Sequence, residues 1–336
     1  MTRRLIIPFL CLLALLLASG CEIHELPEGD PIVNLTLELK YDQPYPQYKT
    51  SGPVTKDPET QYVVRYVVQL FKYDSDVWNQ EPAYTLVEYG EDTQNLDRTI
   101  SLVVEPSDFH AIVWTDFVEA SSLTPFYSAD DFADVKLLTA SYQGCESMRD
   151  CYFGFTDLPL AELLVNNADY SETMEMHHPV ARYNFVSTDR EQFIEFLKSR
   201  MPSSIYKPDG TLASLEEFSI RVIYPQYLPS VFNLHSGRPV DSALGVQFYT
   251  NLVVREDGDV EMGFDYVFVN ETESKVIVSL EIYDYKGNYI SSVNNLEVVL
   301  MRGRNTTVQG TILTSGVDSG VRIDAEYEGE FNIIIS

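Results

Sequence analysis

Three kinds of side chain could carry chemistry in this chain by type and spacing: thiols, imidazoles, and carboxylates set beside glycine. The cysteines are Cys11, Cys21, Cys145 and Cys151. Cys21 ends the run Leu17-Ala18-Ser19-Gly20-Cys21, behind Arg3, Arg4 and an almost unbroken apolar stretch from Leu5 to Leu17. A basic start, an apolar middle and small residues before the cut make an export signal, and a cysteine at the cut is the acceptor left by a lipoprotein signal peptidase. The chemistry expected of Cys21 is therefore lipid attachment, with residues 1–20 removed as a leader. A spanning helix needs about 20 apolar residues, so this shorter stretch reads as a cleaved signal and not as an anchor. Cys11 leaves with it. Cys145 and Cys151 then remain as a pair in a compartment that permits disulfides, and a bridge between them is expected. Its small loop, Glu146 to Asp150, puts the stabilisation at the low end of roughly 2–4 kcal/mol.

The histidines, His24, His110, His177, His178 and His235, match no metal spacing of the His-Glu-x-x-His kind. Adjacent positions in an extended segment point to opposite faces, so His177-His178 reads as a solvated linker and not as a ligand pair. No Gly-x-Ser-x-Gly elbow, phosphate-binding glycine loop or dinucleotide fingerprint occurs. Glu256-Asp257-Gly258-Asp259 and Lys207-Pro208-Asp209-Gly210 read as turns, because Asp-Gly between alternating runs is the hairpin signal and a calcium loop needs further acidic ligands at fixed steps. Asp130, Asp131 and Asp134 read as a wet face, and no carboxylate pair stands out for glycoside hydrolysis. The reading is of a protein that is not an enzyme, with no metal site and no cofactor.

Loss of the leader removes Arg3 and Arg4 from the 23 Lys and Arg and none of the 51 Asp and Glu, which leaves 21 minus 51, a formal charge of −30. Such a field repels phosphate backbones, so nucleic acid is excluded as a partner. Residues 21–31 mix Glu22, Glu25, Glu28 and Asp30 with Pro27, Gly29 and Pro31, a composition that buries too little apolar area to order itself and reads as an acidic linker. Hydrophobic content of 45% supplies two cores, and a chain of this length exceeds what one compact core usually holds.

The elements that must position these groups are mostly strands. Val33, Leu35, Leu37 and Leu39 alternate with polar residues, as do Tyr62, Val64, Tyr66, Val68 and Leu70. Further strands are expected at about 99–104 and 110–117, with a short helix capped by Ser128 and Asp131 between 128 and 139. Thr188-Asp189-Arg190-Glu191 predicts a capped helix to Arg200, ended by Pro202. Strands follow at 181–186, then as hairpins at 259–270, 276–282, 296–301, 305–313 and 321–335. Regular spacing without a strand–helix–strand rhythm predicts an all-β chain with one or two short helices. Two sandwich domains are expected at 32–178 and 179–336.

Several segments, taken together and in order, resemble one family. They are His110-Ala111-Ile112-Val113-Trp114-Thr115-Asp116-Phe117, Pro179-Val180-Ala181-Arg182-Tyr183 leading to Thr188-Asp189, Phe264-Asp265-Tyr266-Val267-Phe268-Val269-Asn270, Asn305-Thr306-Thr307-Val308-Gln309-Gly310, and Tyr327-Glu328-Gly329-Glu330-Phe331-Asn332-Ile333. This set resembles the fimbrillin and fimbrial-anchor lipoproteins of Bacteroidetes-type Gram-negative cells, in particular a subgroup known as a domain of unknown function. The resemblance implies two tandem transthyretin-like antiparallel β-sandwich domains, display on the outer face of the outer membrane, and assembly with fimbrial subunits by strand addition. Acidic residues directly after Cys21 resemble that family's surface-export signal. Stalk subunits of the family are trimmed at arginine, whereas Lys40, Lys49 and Lys56 are the basic residues between Val33 and Tyr62, so the resemblance implies an anchor or accessory role.

Two functions fit these observations. In the first, the chain is a fimbrial subunit held in outer-membrane lipid through Cys21, and Phe331, Ile333 and Ile335 alternate along a strand-exchange candidate at its end. The same strand could instead complete the chain's own sheet. In the second, it is a surface adhesion lipoprotein that takes a host or bacterial glycan on some of its 22 tyrosines. Growth on radiolabelled palmitate is expected to label the wild-type protein and leave Cys21→Ser unlabelled; equal label in both would remove the tether.

Overall fold

The computed structural model describes residues 31–42, 60–74, 77–140, 142–164, 167–315, 327–328 and 330–335. The leader, Cys21 and nearly all of the acidic linker lie outside the described residues. Strand β1 (Val33–Tyr41) forms as its alternation predicts, with Val33, Leu35, Leu37 and Leu39 buried and Glu38 and Lys40 exposed. It pairs antiparallel with β5 (Arg98–Val104) and parallel with β10 (Ala168–Met176). The facing sheet is built on β2 (Tyr62–Asp74), flanked on one side by β3 (Val77–Trp78) and β4 (Tyr84–Gly90) and on the other by β6 (Phe109–Glu119) and then β9 (Cys151–Leu158). Leu35, Leu37, Val68, Leu70, Ala111 and Val113 meet in the core between the two sheets.

β6 is buried on both faces. Ala111 and Val113 point into that first core, while Ile112 and Trp114 point away from it and into a second one. A small sheet lies over this second face, made of β7 (Tyr127–Ser128), β8 (Val135–Leu137), β13 (Leu228–Asn233) and β14 (Arg238–Ala243). The expected helix at 128–139 is therefore absent. The Ser128 hydroxyl donates to the Asp130 carboxylate at 3.1 Å, and Phe132 from a turn and Val135 and Leu137 from a short strand are drawn into the core. β8 pairs with β13 through Val135↔Phe232 and Lys136↔Val231, so hydrogen bonds cross the expected division at 178/179.

The second half centres on β11 (Val180–Ser187), which lies between β17 (Val260–Phe268), antiparallel to it, and β20 (Asn305–Gly310), parallel to it. β16 (Val253–Val254) extends this sheet beyond β17, while β22 (Glu330–Ile335) and β21 (Tyr327–Glu328) extend it beyond β20. The opposing sheet runs β15 (Gln247–Asn251), β12 (Ser219–Ile223), β18 (Ser274–Tyr283), β19 (Tyr289–Leu300). Helix α1 (Arg190–Arg200) buries Phe193 and Leu197, and Pro202 opens the next short helix, α2 (Pro202–Ile205). The expected strand from Asn305 stops at Gly310 and gives way to α3 (Ile312–Ser315). The architecture is all-β, and most pairings are antiparallel. Three are parallel, β1–β10, β11–β20 and β20–β22, and each joins strands whose intervening chain has room for a crossover.

Every residue of β11 and β17 is buried, so this sheet is covered on both faces. One cover is the opposing sheet. The other is reached through a train of rings: Trp114 to Tyr127 at 5.5 Å, Tyr127 to Phe268 at 5.4 Å, Phe268 to Phe232 at 5.3 Å, and Phe232 to Phe153 at 5.3 Å. Offset and edge-on ring pairs of this kind add about 0.5–1.5 kcal/mol each to the burial itself. The two halves thus share apolar core, and calorimetry is expected to give one unfolding transition. Two well-separated transitions would show that the halves fold independently.

Candidate functional site

The chain's last described strand sits at a sheet margin. β22 runs parallel to β20 from Thr306↔Phe331 through Val308↔Ile333 to Gly310↔Ile335, and β21 folds back on it through Tyr327↔Phe331 and Glu328↔Glu330. The backbone of Phe331, Ile333 and Ile335 therefore lies along β20 of the same chain. β20 itself is almost wholly buried: Thr306 and Val308 are 0% and 1% exposed. Its amides and carbonyls on that side need strand partners, because unpaired main-chain groups in such a place are costly.

Buried polar side chains fix β20 and the segment that follows it. The Asn305 amide and the Thr307 hydroxyl both donate to the Asn184 side-chain carbonyl on β11, at 2.9 and 3.0 Å. Asp189 occupies the N-cap position of α1 but makes no side-chain bond to that helix. It accepts instead from the Thr314 amide at 2.7 Å, while the Ser187 hydroxyl accepts from the Ile312 and Leu313 amides at 3.0 Å and itself donates to Asp189. Asp189, expected to start one helix, thus joins Ser187 in securing the start of another, α3.

A second cluster ties this sheet to the first half of the chain. Tyr142, Cys145 and Arg149 come from the connection before β9, and the 3₁₀ turn Ser147–Arg149 delivers the Arg149 guanidinium to Asp265 on β17. Both residues are buried, at 2% and 0% exposed. Asp265 also accepts from the Tyr142 and Tyr224 hydroxyls, Tyr224 meets Tyr183 at 2.6 Å, and Arg149 lies over the Tyr142 ring at 4.4 Å. Burial opposes the Arg149 charge most strongly, yet Asp265, Tyr142 and Tyr127 together outweigh it and hold the guanidinium well above its usual range. Burial, reinforced by the Asp265 charge, pushes the phenols of Tyr142, Tyr183 and Tyr224 well above theirs. The arrangement is a charged, dry latch in which the terminal guanidinium nitrogens find partners while the buried Arg149 Nε has none. Gly144 permits the close approach, since a β-carbon there would lie 2.3 Å from the Phe248 ring.

The two remaining thiols do not bridge. Both cysteines are free, and the turn that carries Arg149 holds them apart. The half-buried Cys145 turns its sulfur to the Phe264 amide at 3.3 Å, with φ at 57°, while Cys151 starts β9 and is buried. Burial pushes the Cys145 thiol up to about 12 and the Cys151 thiol well above its usual range. The expected solvated linker at His177-His178 is also half corrected. His177 is exposed and meets Asp42 at 3.0 Å, whereas His178 is 1% exposed and bonds Asp150 at 2.9 Å, with the Tyr152 ring 4.3 Å away. Among the described residues, no three His, Cys, Asp or Glu side chains gather as a metal site. The sequence reading missed Arg149, Asp265 and their tyrosines, because partners 116 residues apart leave no local pattern.

Removing one partner of a buried ion pair strands the other. Arg149→Met is therefore expected to cost about 3–5 kcal/mol in urea unfolding, and Asp265→Asn in the same background to recover part of it; a loss below about 1 kcal/mol would show the pair to be dispensable. The thiols give a pH test. The Cys145 thiol ionises near 12 when folded and near 9.0 otherwise, so the unfolded chain loses its proton first. Its share of stability is full below pH 9 and is lost as pH rises toward 12. A thiol-specific disulfide reagent at pH 8 is expected to modify neither Cys145 nor Cys151 until urea is added; rapid reaction of the native protein would contradict the burial.

The chain is similar in structure to a candidate adhesin of Bacteroides thetaiotaomicron at 11% identity and a TM-score of 0.44, covering 80% of this chain and 81% of that one. It is similar to the fimbrial anchor protein Mfa2 of Porphyromonas gingivalis at 11% identity and a TM-score of 0.38, covering 78% and 82%. A fimbrial assembly protein of Parabacteroides distasonis matches at 14% identity and a TM-score of 0.33, covering 83% and 90%. No curated protein matches the sequence. The model of one sequence family spans residues 29–336, and the chain belongs to that family, the family of unknown function DUF6562.

Proposed function

We propose that this protein is a cell-surface fimbrial anchor or accessory subunit, tethered to outer-membrane lipid through Cys21, that joins a partner subunit by β-strand addition. The observation that carries this reading is the ladder between β20 and β22. β20 is buried and its outer edge has a fixed need for main-chain partners. The chain meets that need with its own terminal strand, but the backbone bonds in question carry no sequence identity, and an equivalent strand from another chain satisfies them equally. The cap formed by Ser187 and Asp189 holds α3 in place whether or not β22 is seated, so the groove stays shaped while its occupant changes. The order of segments that resemble fimbrial-anchor lipoproteins supports the same role, and the acidic surface suits an exposed, soluble body on a lipid tether.

Removing residues 327–336 is expected to leave far-ultraviolet circular dichroism unchanged, lower the thermal midpoint, and create a site for a synthetic peptide of residues 327–336. The intact chain is expected to bind that peptide at least tenfold more weakly, and the truncated chain to be missing from surface filaments. A truncated chain that folds and neither takes the peptide nor loses its place in filaments would refute strand addition at this edge.

A further inference from the structure

Where the β2–β6–β9 sheet runs past its cover from the second half, four rings stand in file: Tyr73, Trp78, His110 and Phe155. Successive centroids are 4.6, 5.3 and 5.7 Å apart, close to the length of one pyranose unit. Tyr73 is 40% exposed and Phe155 58%. Exposed apolar side chains on a soluble surface are ordinarily scattered singly, and a contiguous group marks a place where something binds.

Trp78 also forms part of a cleft of about 570 Å³ at the junction of the two halves. Phe71, 2% exposed, lines it, and the His235 ring from the second half packs on Phe71 at 4.7 Å. The polar lining is acidic and amidic: Glu81, Asp130, Asp131, Gln69 and Asn79. Some of it is already set in place. The Gln69 amide donates to the Asp130 carbonyl at 3.2 Å, and one Asp131 oxygen accepts from the Ala133 amide at 2.8 Å. Flat rings for the C–H faces of a sugar, with carboxylates and amides for its hydroxyls, make up the mix that an orienting small-ligand pocket requires. The same carboxylates, on a chain of net charge −28, repel uronates, sialic acids and phosphates.

We propose that this junctional cleft and its row of rings bind a neutral oligosaccharide, with Trp78 as the central stacking ring, Phe155 and Tyr73 extending the platform, and Glu81 and Asp131 accepting hydrogen bonds from sugar hydroxyls. The site lies on the β2–β6–β9 sheet where it meets the second half of the chain, on strands other than β20 and β22, so it stands independently of strand addition.

The chain has two tryptophans, and Trp114 is fully buried, so a change in emission on titration reports Trp78. Gluco- and manno-configured neutral hexasaccharides, the disaccharides of each, a hexauronate and hexalysine are titrated into the full mature chain. At least one neutral hexasaccharide is expected to give saturable binding, tighter than its disaccharide, with the hexauronate inert. By calorimetry, Trp78→Ala is expected to weaken that binding at least tenfold, and Phe155→Ala, at an exposed position that leaves the fold intact, several-fold. Glu81→Gln should weaken it several-fold without admitting the hexauronate fully. Absence of saturable binding by every neutral hexasaccharide at millimolar concentration, binding untouched by both Trp78→Ala and Phe155→Ala, or binding of hexalysine in place of sugar would each overturn the proposal.

Discussion

The contact on which the rest depends is the ion pair between Arg149 and Asp265. A guanidinium and a carboxylate, both withdrawn from water, hold best where their remaining donors and acceptors are occupied. Here the phenols of Tyr142 and Tyr224 and nearby main-chain carbonyls occupy most of them, and the Arg149 Nε is the one buried donor of the pair left over. Such a pair contributes little net stability compared with an apolar filling, but it tolerates one arrangement only. It sets the connection before β9 in a single register against β17, and so sets the first half of the chain against the second. The apolar rings from Trp114 to Phe153 could slide against their neighbours at small cost, and the latch removes that freedom.

From that fixed register follows the unusual state of the central sheet in the second half. In an ordinary sandwich one face is dry and the other wet. β11 and β17 are dry on both, with the opposing sheet on one side and the first half's rings on the other. Arg182, Asn184 and Asp265 are consequently buried, and each needs a partner inside. Asn184 finds Asn305 and Thr307 on β20, which aligns that strand with β11. The order of dependence runs from latch to covered sheet to aligned β20, and the terminal strand comes last.

How far the sequence discloses this depends on whether a residue's partner is near it in the chain. β1 and the start of β2 are plain in the alternation of Val33 to Leu39 and Tyr62 to Leu70, because one apolar row of each fills the first core. α1 is plain in its stripe of Phe193 and Leu197. Where burial is two-sided the strand is still legible but its polar residues are misplaced: β11 is expected at 181–186, yet Arg182 and Asn184 would be counted as solvent-facing, and the solvent is replaced by chain from far away. The alternation is lost at β12 and β13, five and six residues long, with Pro225 just past the first and Pro229 inside the second, which leave too short a run to show a period. Asp189 illustrates a third limit. Its type predicts a cap correctly, but which helix receives the cap is decided by the fold. The thiols illustrate a fourth: proximity in sequence suggested a bridge between Cys145 and Cys151, and the turn that brings Arg149 inward sets their sulfurs on different surroundings.

The direction of the β20–β22 pairing has a mechanical meaning. Strands laid side by side resist a tug along their length by sharing it, so that all the bonds of the ladder are strained together; a tug across them parts the bonds one after another, like a zip. In the proposed anchor role, a load passed along the strand axis through such a ladder would fall on all of its bonds at once. A short seam of ordinary amide bonds then withstands forces that no single contact in it could bear.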